Sequence, residues 1–472
     1  MVTLGAADAA IIALFVACLL GLGFSARLRD SSLIQYLMAG RNLTVPMFVT
    51  TLVCTWYGGI LGMGESVSYY GFGTLLMLGV PYYVFGTLYA LFLVKKVRSA
   101  EEISIPERLA LTYGRPVGLV GAGLLFLLAV PSAHVLMLGT LVQAITNWPL
   151  LPATIFAAIG GSLFLYRGGL LADVRASMLA FVMMYAGFAV IVAICLKDHS
   201  STLHAFQGQP LGTPTGGQSW TMILSFFILG AWTLVDPGFH QRVASAASPE
   251  TGRTGLLWCV AFWVIFDLLS ITAGLCAVAL LKQPPTNALL MYPSLANLVL
   301  PPGLKAMFLC GILGTVLCAM VGYALISGAT FGREIIAQLK PGLTEGQVKL
   351  ATRAGIAFGV LLAIGIGAVT QSVVQIWYSW GGIVTGALLI PVLTSYLAPR
   401  FAAPRTALLA MCFSAASSLA LWINGMRNGN PYLVYHWQGQ DFSVGTLIPG
   451  LIVSLAVFGL GSLSANEGNN HR

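Results

Sequence analysis

Glu65, His134, Asp236 and Asp267 are ionisable residues inside long apolar segments of the sequence. Charged groups are costly inside lipid, and those that occur there usually serve a function. A buried carboxylate or imidazole can bind and release a proton, and histidine does so near pH 6.5. Plainer interpretations remain open: Glu65 could mark a helix end, and His134 could simply pack. Asp236 could cap an unwound turn or pair with Arg242.

The amino-acid composition indicates what kind of protein surrounds these groups. The 472-residue chain is 57% apolar and only 8% charged, whereas soluble domains carry about 25% charged residues. A polytopic membrane protein is therefore predicted, and a nucleic-acid binder, a disordered chain and a secreted disulfide scaffold are excluded. The eight cysteines lie in apolar segments without metal-site spacing. The sequence has no HExxH motif, no usable GxSxG motif and no phosphate-binding loop, so an enzyme is not expected.

Thirteen segments are apolar enough to form membrane spans of roughly 20 residues. An outside N-terminus leaves 19 of the 23 Lys and Arg residues in inner loops and only Lys197, Lys282, Lys305 and Arg427 outside. The positive-inside rule then places the N-terminus outside and the C-terminus in the cytoplasm. The predicted spans are 6–26, 45–67, 70–94, 116–146, 149–166, 176–196, 219–241, 255–281, 304–330, 354–370, 373–397, 406–424 and 443–462.

Two of these spans contain irregular stretches. The second has four glycines within residues 58–64, and the seventh has Gly230 followed by Pro237 and Gly238. Glycines weaken a helix by roughly 1 kcal/mol each, and transporters use such broken helices to build binding sites at the membrane midplane. Close packing of helices through small residues is the alternative. The spacing of five spans predicts two inverted five-helix units, at residues 45–197 and 217–397.

Five short motifs, in order, resemble the sodium:solute symporter family. The resemblance implies an all-α LeuT-type fold of 13 helices in one transmembrane domain, residues 1–472. That fold has two inverted five-helix repeats, one extra N-terminal helix and two extra C-terminal helices. It also implies a symporter, a secondary active transporter that works by alternating access. The motifs are Tyr36-Leu37-Met38-Ala39-Gly40-Arg41, Ile105-Pro106-Glu107-Arg108-Leu109 with Tyr113-Gly114, Gly168-Gly169-Leu170, Gln241-Arg242 with Ala244 and Ala246, and Phe331-Gly332-Arg333-Glu334.

The family's sodium site is degenerate in this sequence. By resemblance, the ion would take three carbonyl oxygens and two adjacent hydroxyls, but the hydroxyl pair is replaced by a thiol and a methyl group. The acid of the fifth core helix is replaced by Ser177. Sodium is a hard cation that prefers several oxygen ligands. Sodium is therefore disfavoured as the coupling ion. The sodium-site positions are Cys54, Tyr57, Thr315, Cys318 and Ala319.

Three consequences follow from the degenerate site. Protons could drive transport, with His134, Glu65 or Asp267 as the carrier. The protein could instead be an uncoupled facilitator. A third alternative is a non-transporting membrane sensor or assembly protein, which ranks below the first two because a scaffold needs no cavity walls.

The resemblance also indicates which residues bind the solute. The predicted wall is aromatic and weakly charged, which suits a small neutral or zwitterionic solute, or a monocarboxylate held by a helix N-terminus. The expected partners are this small organic solute and the lipid bilayer, without a resident cofactor. A bacterial inner membrane is expected, since the sequence carries no lipidation motif. The predicted solute-binding residues are Trp56, Gly58, Gly59, Tyr82, Tyr83, Ser132, His134, Phe226, Trp232, Thr233, Gln375 and Tyr378.

Overall fold

A computed structural model describes residues 2–30, 32–163, 165–198, 204, 206–281, 285–370, 372–437 and 440–470. Lys282 and Arg472, which enter the predicted charge map, lie outside these ranges. The first half of the described chain is helical. Its helices are α1 (Ala6–Phe24), α2 (Leu33–Met38), α3 (Val45–Tyr57), α4 (Ile60–Tyr70), α5 (Val80–Leu88), α6 (Val94–Ser99), α7 (Ile105–Tyr113), α8 (Arg115–Ala129), α9 (Ser132–Thr146), α10 (Leu150–Ser162) and α11 (Leu165–Asp198).

The second half is also helical, apart from one antiparallel hairpin of β1 (Val434–Trp437) and β2 (Gln440–Ser443). Several helices are joined end to end by π-helical turns, such as Trp377–Gly381. The helices are α12 (Trp220–Leu229), α13 (Pro237–Ser245), α14 (Pro249–Leu280), α15 (Met291–Val299), α16 (Leu304–Ala329), α17 (Ala337–Leu339), α18 (Glu345–Val369), α19 (Val373–Ile376), α20 (Gly382–Leu397), α21 (Pro404–Arg427) and α22 (Leu447–Asn470).

The described residues contain ten helical stretches long and apolar enough to cross a membrane, or eleven if α3 and α4 form one bent span. Two shorter apolar helices, α10 and the stretch Leu447–Gly461 of α22, fall within two further predicted spans. The polytopic all-α class is thus confirmed. The number thirteen stays a prediction, and so do the bounds of the two repeats.

The first irregular stretch is a sharp break. Helices α3 and α4 meet at Gly58 and Gly59 and are bent by 49°. A Cβ atom on Gly58 would lie 1.9 Å from the Cβ of Ala319 on α16. Only glycine therefore lets the broken helix approach α16 this closely.

The second break lies between α12 and α13. A 3₁₀ turn, Gly230–Leu234, follows α12, and α13 begins at Pro237. The Asp236 side chain accepts a hydrogen bond from the backbone N–H of Phe239, 2.9 Å away, and so caps α13. One of the two interpretations of Asp236, a cap on an unwound turn, is thus confirmed.

Helix α16 forms the centre of the bundle. Its most apolar window is entirely buried, and it packs against α1, α3, α9, α11 and α18. Peripheral helices instead expose large apolar side chains, among them Leu14, Phe156 and Leu361. A surface of this kind is suited to lipid rather than water.

Candidate functional site

A cavity of about 300 Å³ lies beside both helix breaks. Its wall combines the α3–α4 break with the 3₁₀ turn after α12, and it is closed by residues of α5, α8, α9, α16, α18 and the π-helical turn Trp377–Gly381. Six of the predicted solute-binding residues line it. These are Trp56, Gly59, Tyr82, Ser132, His134 and Trp232.

The other six predicted residues lie outside the lining. Gly58 packs against Ala319 and His134, and Tyr83 donates a hydrogen bond to Asp267. The rings of Phe226 and Tyr378 pack on each other with centroids 4.6 Å apart.

Thr233 and Gln375 are the remaining two predicted residues outside the cavity lining. Thr233 is buried, and Gln375 points its amide at the sulfur of Met426, 3.5 Å away. Whether a predicted residue faces the cavity depends on how its helix is rotated about its own axis, which the sequence motifs do not specify. Solute contact by any of the twelve stays a prediction.

Several lining residues were not among the sequence-based predictions. Tyr323 on α16, Trp380 on the π-helical turn, and Leu362 and Ile366 on α18 all line the cavity. A signal for Tyr323 was present, since a tyrosine hydroxyl inside an apolar helix needs a partner. The aliphatic residues of α18 carry no such signal.

The cavity wall carries a few polar groups with distinct roles. The Tyr323 hydroxyl donates to Asp236 Oδ2, 2.9 Å away, and the His134 ring stacks on Tyr323 at a centroid distance of 5.1 Å. Among the described residues, His134 Nδ1 and Trp232 Nε1 have no hydrogen-bond partner although both atoms are buried. Buried polar atoms are normally paired. The wall thus contains two unpartnered nitrogen atoms and the Asp236 carboxylate, which caps α13.

Asp267 lies outside the cavity lining. Its Oδ1 accepts a hydrogen bond from the Tyr57 hydroxyl at 2.8 Å, and its Oδ2 accepts one from Tyr83. Two phenol donors satisfy a buried acid without a cation. These hydrogen bonds do not test whether Asp267 carries a proton during transport, so that role stays a prediction.

Glu65 links two distant helices. Its carboxylate accepts hydrogen bonds from the backbone N–H groups of Val373 at 3.0 Å and Val374 at 3.3 Å, and from the Ser372 hydroxyl. These groups form the start of α19. A carboxylate at a helix N-terminus satisfies free N–H groups and interacts favourably with the helix dipole.

Replacing Glu65 with glutamine is expected to lower stability by about 1.5–3 kcal/mol, the range for hydrogen bonds to a charged group. Thermal unfolding of the purified protein in detergent measures the effect. Glu101→Gln is the matched control, because Glu101 is exposed. Equal unfolding midpoints for the Glu65 and Glu101 variants would contradict the capping role.

The side chains at the predicted sodium-site positions contact other parts of the protein. The Cys54 thiol donates to the carbonyl of Ser177 at 3.3 Å, and the Thr315 hydroxyl donates to the carbonyl of Gly311 at 2.6 Å. Cys318 is buried, and the methyl group of Ala319 fills the space beside Gly58. The Tyr57 hydroxyl donates to Asp267.

A layer of ion pairs lies beside a second, smaller cavity of about 50 Å³, which Arg333 and Glu334 line. Asp236 in the wall of the first cavity caps α13, and His240 on the same helix lines the second cavity. The Nε2 atom of His240 and the Tyr396 hydroxyl are 2.7 Å apart. The layer, called the charged layer below, contains the pairs Arg108–Glu102 at 2.9 Å, Arg333–Glu107 at 2.8 Å and Arg333–Glu334 at 2.7 Å.

Comparison with known proteins identifies relatives in sequence. The family model described as "Sodium:solute symporter family" matches residues 36–414. A putative sodium-dependent multivitamin transporter of Drosophila melanogaster is 25% identical over 306 residues, which is 58% of this chain but only 49% of that protein. The uncharacterized symporter YidK of Escherichia coli K12 is 24% identical over 391 residues, 76% of this chain and 68% of that protein.

Solved structures show the same fold. A Na⁺-coupled sialic acid symporter in a substrate-bound outward-open state superposes with a TM-score of 0.80 at 14% identity, covering 98% of each chain. Mhp1, a nucleobase-cation-symport-1 family transporter in a closed conformation, has a TM-score of 0.55 at 13% identity, covering 91% of this chain and 94% of that chain. The LeuT-type fold predicted from the motifs is thereby confirmed.

Proposed function

The chain belongs to the sodium:solute symporter family, and from that premise we propose that it moves a small organic solute across the membrane by alternating access. Transport of this kind needs a binding site that opens to one side at a time. The cavity between the two helix breaks serves as the site, and the charged layer serves as the closed gate on one side. With the orientation predicted from Lys and Arg, that gate faces the cytoplasm of a bacterial cell.

The observation that carries this proposal is the pair of unpartnered atoms in the cavity wall. Trp232 Nε1 can only donate a hydrogen bond, so in this proposal it donates to an acceptor on the solute. Asp236 accepts, so it favours a donor or a positive group. Among the described residues that line the cavity there is no Lys or Arg. A zwitterion or a neutral polar molecule fits this set better than a monocarboxylate.

The aromatic lining supports the same conclusion. The rings of Trp56 and Tyr82 lie 4.1 Å apart between centroids, and Trp232 and Trp377 add further ring surface. Aromatic faces attract ammonium groups as well as apolar ones. A volume of about 300 Å³ is at the small end of ligand pockets, which limits the solute to the size of an amino acid or a similar molecule.

The test is uptake of labelled small zwitterions and neutral polar solutes into proteoliposomes. We expect saturable uptake by the natural protein, and in Trp232→Phe a KM raised by about 2- to 10-fold, the value of one lost neutral hydrogen bond. The unfolding midpoint of the variant should be unchanged, because Trp232 Nε1 has no partner among the described residues.

Trp258→Phe is the matched control, because the Trp258 side chain is exposed on α14. It should transport like the natural protein. Solute binding without flux would instead favour a membrane sensor. Uptake that is unaffected by ion or proton gradients would favour an uncoupled facilitator. A KM unchanged in Trp232→Phe would exclude this cavity as the binding site.

A further inference from the structure

We propose that Asp267 holds a proton in this structure and that this proton is the ion that moves with the solute. The proposal deepens the proposed function, on which it rests for the role of the protein as a transporter. Asp267 lies in the middle of α14, and its side chain is buried. It belongs to none of the five motifs by which the chain resembles its family, so its role is inferred from its contacts.

The oxygen atoms around Asp267 form more contacts than the nearby hydroxyl groups have protons. The Tyr57 hydroxyl oxygen lies 2.8 Å from Asp267 Oδ1 and also 2.8 Å from the backbone carbonyl oxygen of Trp263. The Tyr83 hydroxyl contacts Asp267 Oδ2. Each of these three oxygen pairs is close enough for a hydrogen bond and needs one proton. The two phenols supply only two.

A proton on Asp267 supplies the third. Its Oδ1 then donates to the Tyr57 hydroxyl, and Tyr57 donates to the carbonyl of Trp263. Oδ2 still accepts from Tyr83, because a protonated carboxyl group keeps an acceptor oxygen. In the ionised form Oδ1 accepts from Tyr57 instead, and the carbonyl of Trp263 faces a lone pair at 2.8 Å. Only the protonated acid pairs all three contacts.

The surroundings of Asp267 offer no counter-ion among the described residues. None of their ion pairs includes Asp267. A buried charge is costly unless it is paired, and a bound proton removes the charge. The groups that face the acid are phenols from α3, α5, α11 and α15, namely Tyr57, Tyr83, Tyr185 and Tyr292. The last two donate to backbone carbonyls of α14.

The helices that enclose Asp267 also build the solute cavity. Tyr57 is the last residue of α3, directly before the helix break, and it lines the cavity. On α5, Tyr82 lines the cavity while the next residue, Tyr83, contacts the acid. A Cβ atom on Gly79 would lie 3.0 Å from Asp267 Oδ2, so the backbone before α5 closes over the carboxyl group. The proton site and the solute site therefore share two walls.

The shared residue Tyr57 links proton binding to the solute site. Its hydroxyl donates to the carbonyl of Trp263 when Asp267 is protonated and to Asp267 when the acid is ionised. Because Tyr57 ends α3 at the break, this reorientation acts on the cavity wall. Movement of the break during transport separates Tyr57 from the acid and opens the carboxyl group to water. The O–H bond of Asp267 then breaks, water takes the proton, and the electron pair stays on the carboxylate.

Infrared spectroscopy of the purified protein tests for the bound proton. A protonated carboxyl group has a C=O stretching band that carboxylates lack and that shifts in D₂O. We expect this band at neutral pH in the difference between the natural protein and Asp267→Asn. Asparagine offers both a donor and an acceptor, so it can pair the same contacts and the unfolding midpoint should be nearly unchanged. Asp198→Asn is the matched control, because Asp198 is exposed.

The control variant should remove no such band. If Asp267→Asn also removes none, Asp267 is ionised and the proposal is overturned. If Asp267→Asn does not fold, Tyr57→Phe decides, because it removes the hydroxyl to which the protonated acid donates. A shift of the carboxyl band in Tyr57→Phe supports the proposal, and a band that keeps its position overturns it.

Uptake into proteoliposomes tests whether the proton moves with the solute. The probe is the labelled zwitterion or neutral polar solute that the natural protein takes up in the screen described above. An inward proton gradient should raise its initial uptake by the natural protein several-fold, and a pH-sensitive dye trapped inside should report acidification that depends on the solute. Uptake by Asp267→Asn should not respond to the gradient.

The outcomes separate the two proposals. Equal uptake by the natural protein with and without the gradient would overturn the role of the proton and leave the transporter proposal intact. A gradient response that persists in Asp267→Asn would exclude Asp267 as the proton site. Absence of uptake by the natural protein under every condition would instead contradict the transporter proposal, while the infrared band would still report the proton on Asp267.

Discussion

Asp173→Asn is expected to destabilise the protein by about 3–5 kcal/mol, because it leaves the Arg242 guanidinium buried without its counter-ion. Arg242 Nη2 lies 2.7 Å from Asp173 Oδ2, and both side chains are fully excluded from solvent. Water therefore cannot screen the charge that remains. Removing one partner of a buried pair is more damaging than removing both. Thermal and chemical unfolding in detergent measure the loss.

Two companion variants separate charge from packing. Asp198→Asn changes the same residue type on the same helix, but Asp198 is exposed, and no loss is expected. The double variant Asp173→Leu with Arg242→Met replaces the pair by apolar side chains of similar volume. It should recover most of the stability, since such replacements are often neutral. If Asp173→Asn unfolds at the same midpoint as the natural protein, the pair does not exist in solution.

Gly58→Ala is expected to abolish most solute uptake and to cost about 1–3 kcal/mol, the range for overpacking a core. The new Cβ would lie 1.9 Å from the Cβ of Ala319 and 3.2 Å from the carbonyl oxygen of Thr55. Neither atom can move without shifting a helix. The break between α3 and α4 would be displaced, and the cavity residues Trp56 and Gly59 with it.

Adding Ala319→Gly to Gly58→Ala should restore much of the uptake, because it removes the methyl group that the new Cβ meets. Gly123→Ala is the matched control. It also lies in a helix, and outside its own helix backbone no atom lies within 4 Å of its added Cβ. Uptake should therefore be unchanged, and stability should be unchanged or raised by up to roughly 1 kcal/mol. Full uptake by Gly58→Ala alone would show that the break does not depend on this close approach.

The sequence by itself determined that the chain lies in a membrane, which family it belongs to and where two of its helices break. Few charges and long apolar segments require a membrane, whatever the tertiary structure. The glycine-rich stretch around Gly58 and the Gly230 to Gly238 stretch mark breaks because they lower helix stability locally, before any packing is considered. Asp236 likewise caps α13 by accepting a hydrogen bond from the backbone N–H of Phe239, three residues later. All of these effects act over a few residues of chain.

Only the tertiary structure decided which distant groups meet. The predicted pair of Asp236 with Arg242 is not among the ion pairs of the described residues, and Arg242 binds Asp173, 69 positions away. Residues six apart on a helix point about 240° apart, which favours contact of Arg242 with a different helix. Glu65 similarly binds the start of α19, more than 300 residues later. Such contacts depend on how each helix is rotated against its neighbours. That rotation is set by the packing of the whole bundle, which no local pattern records.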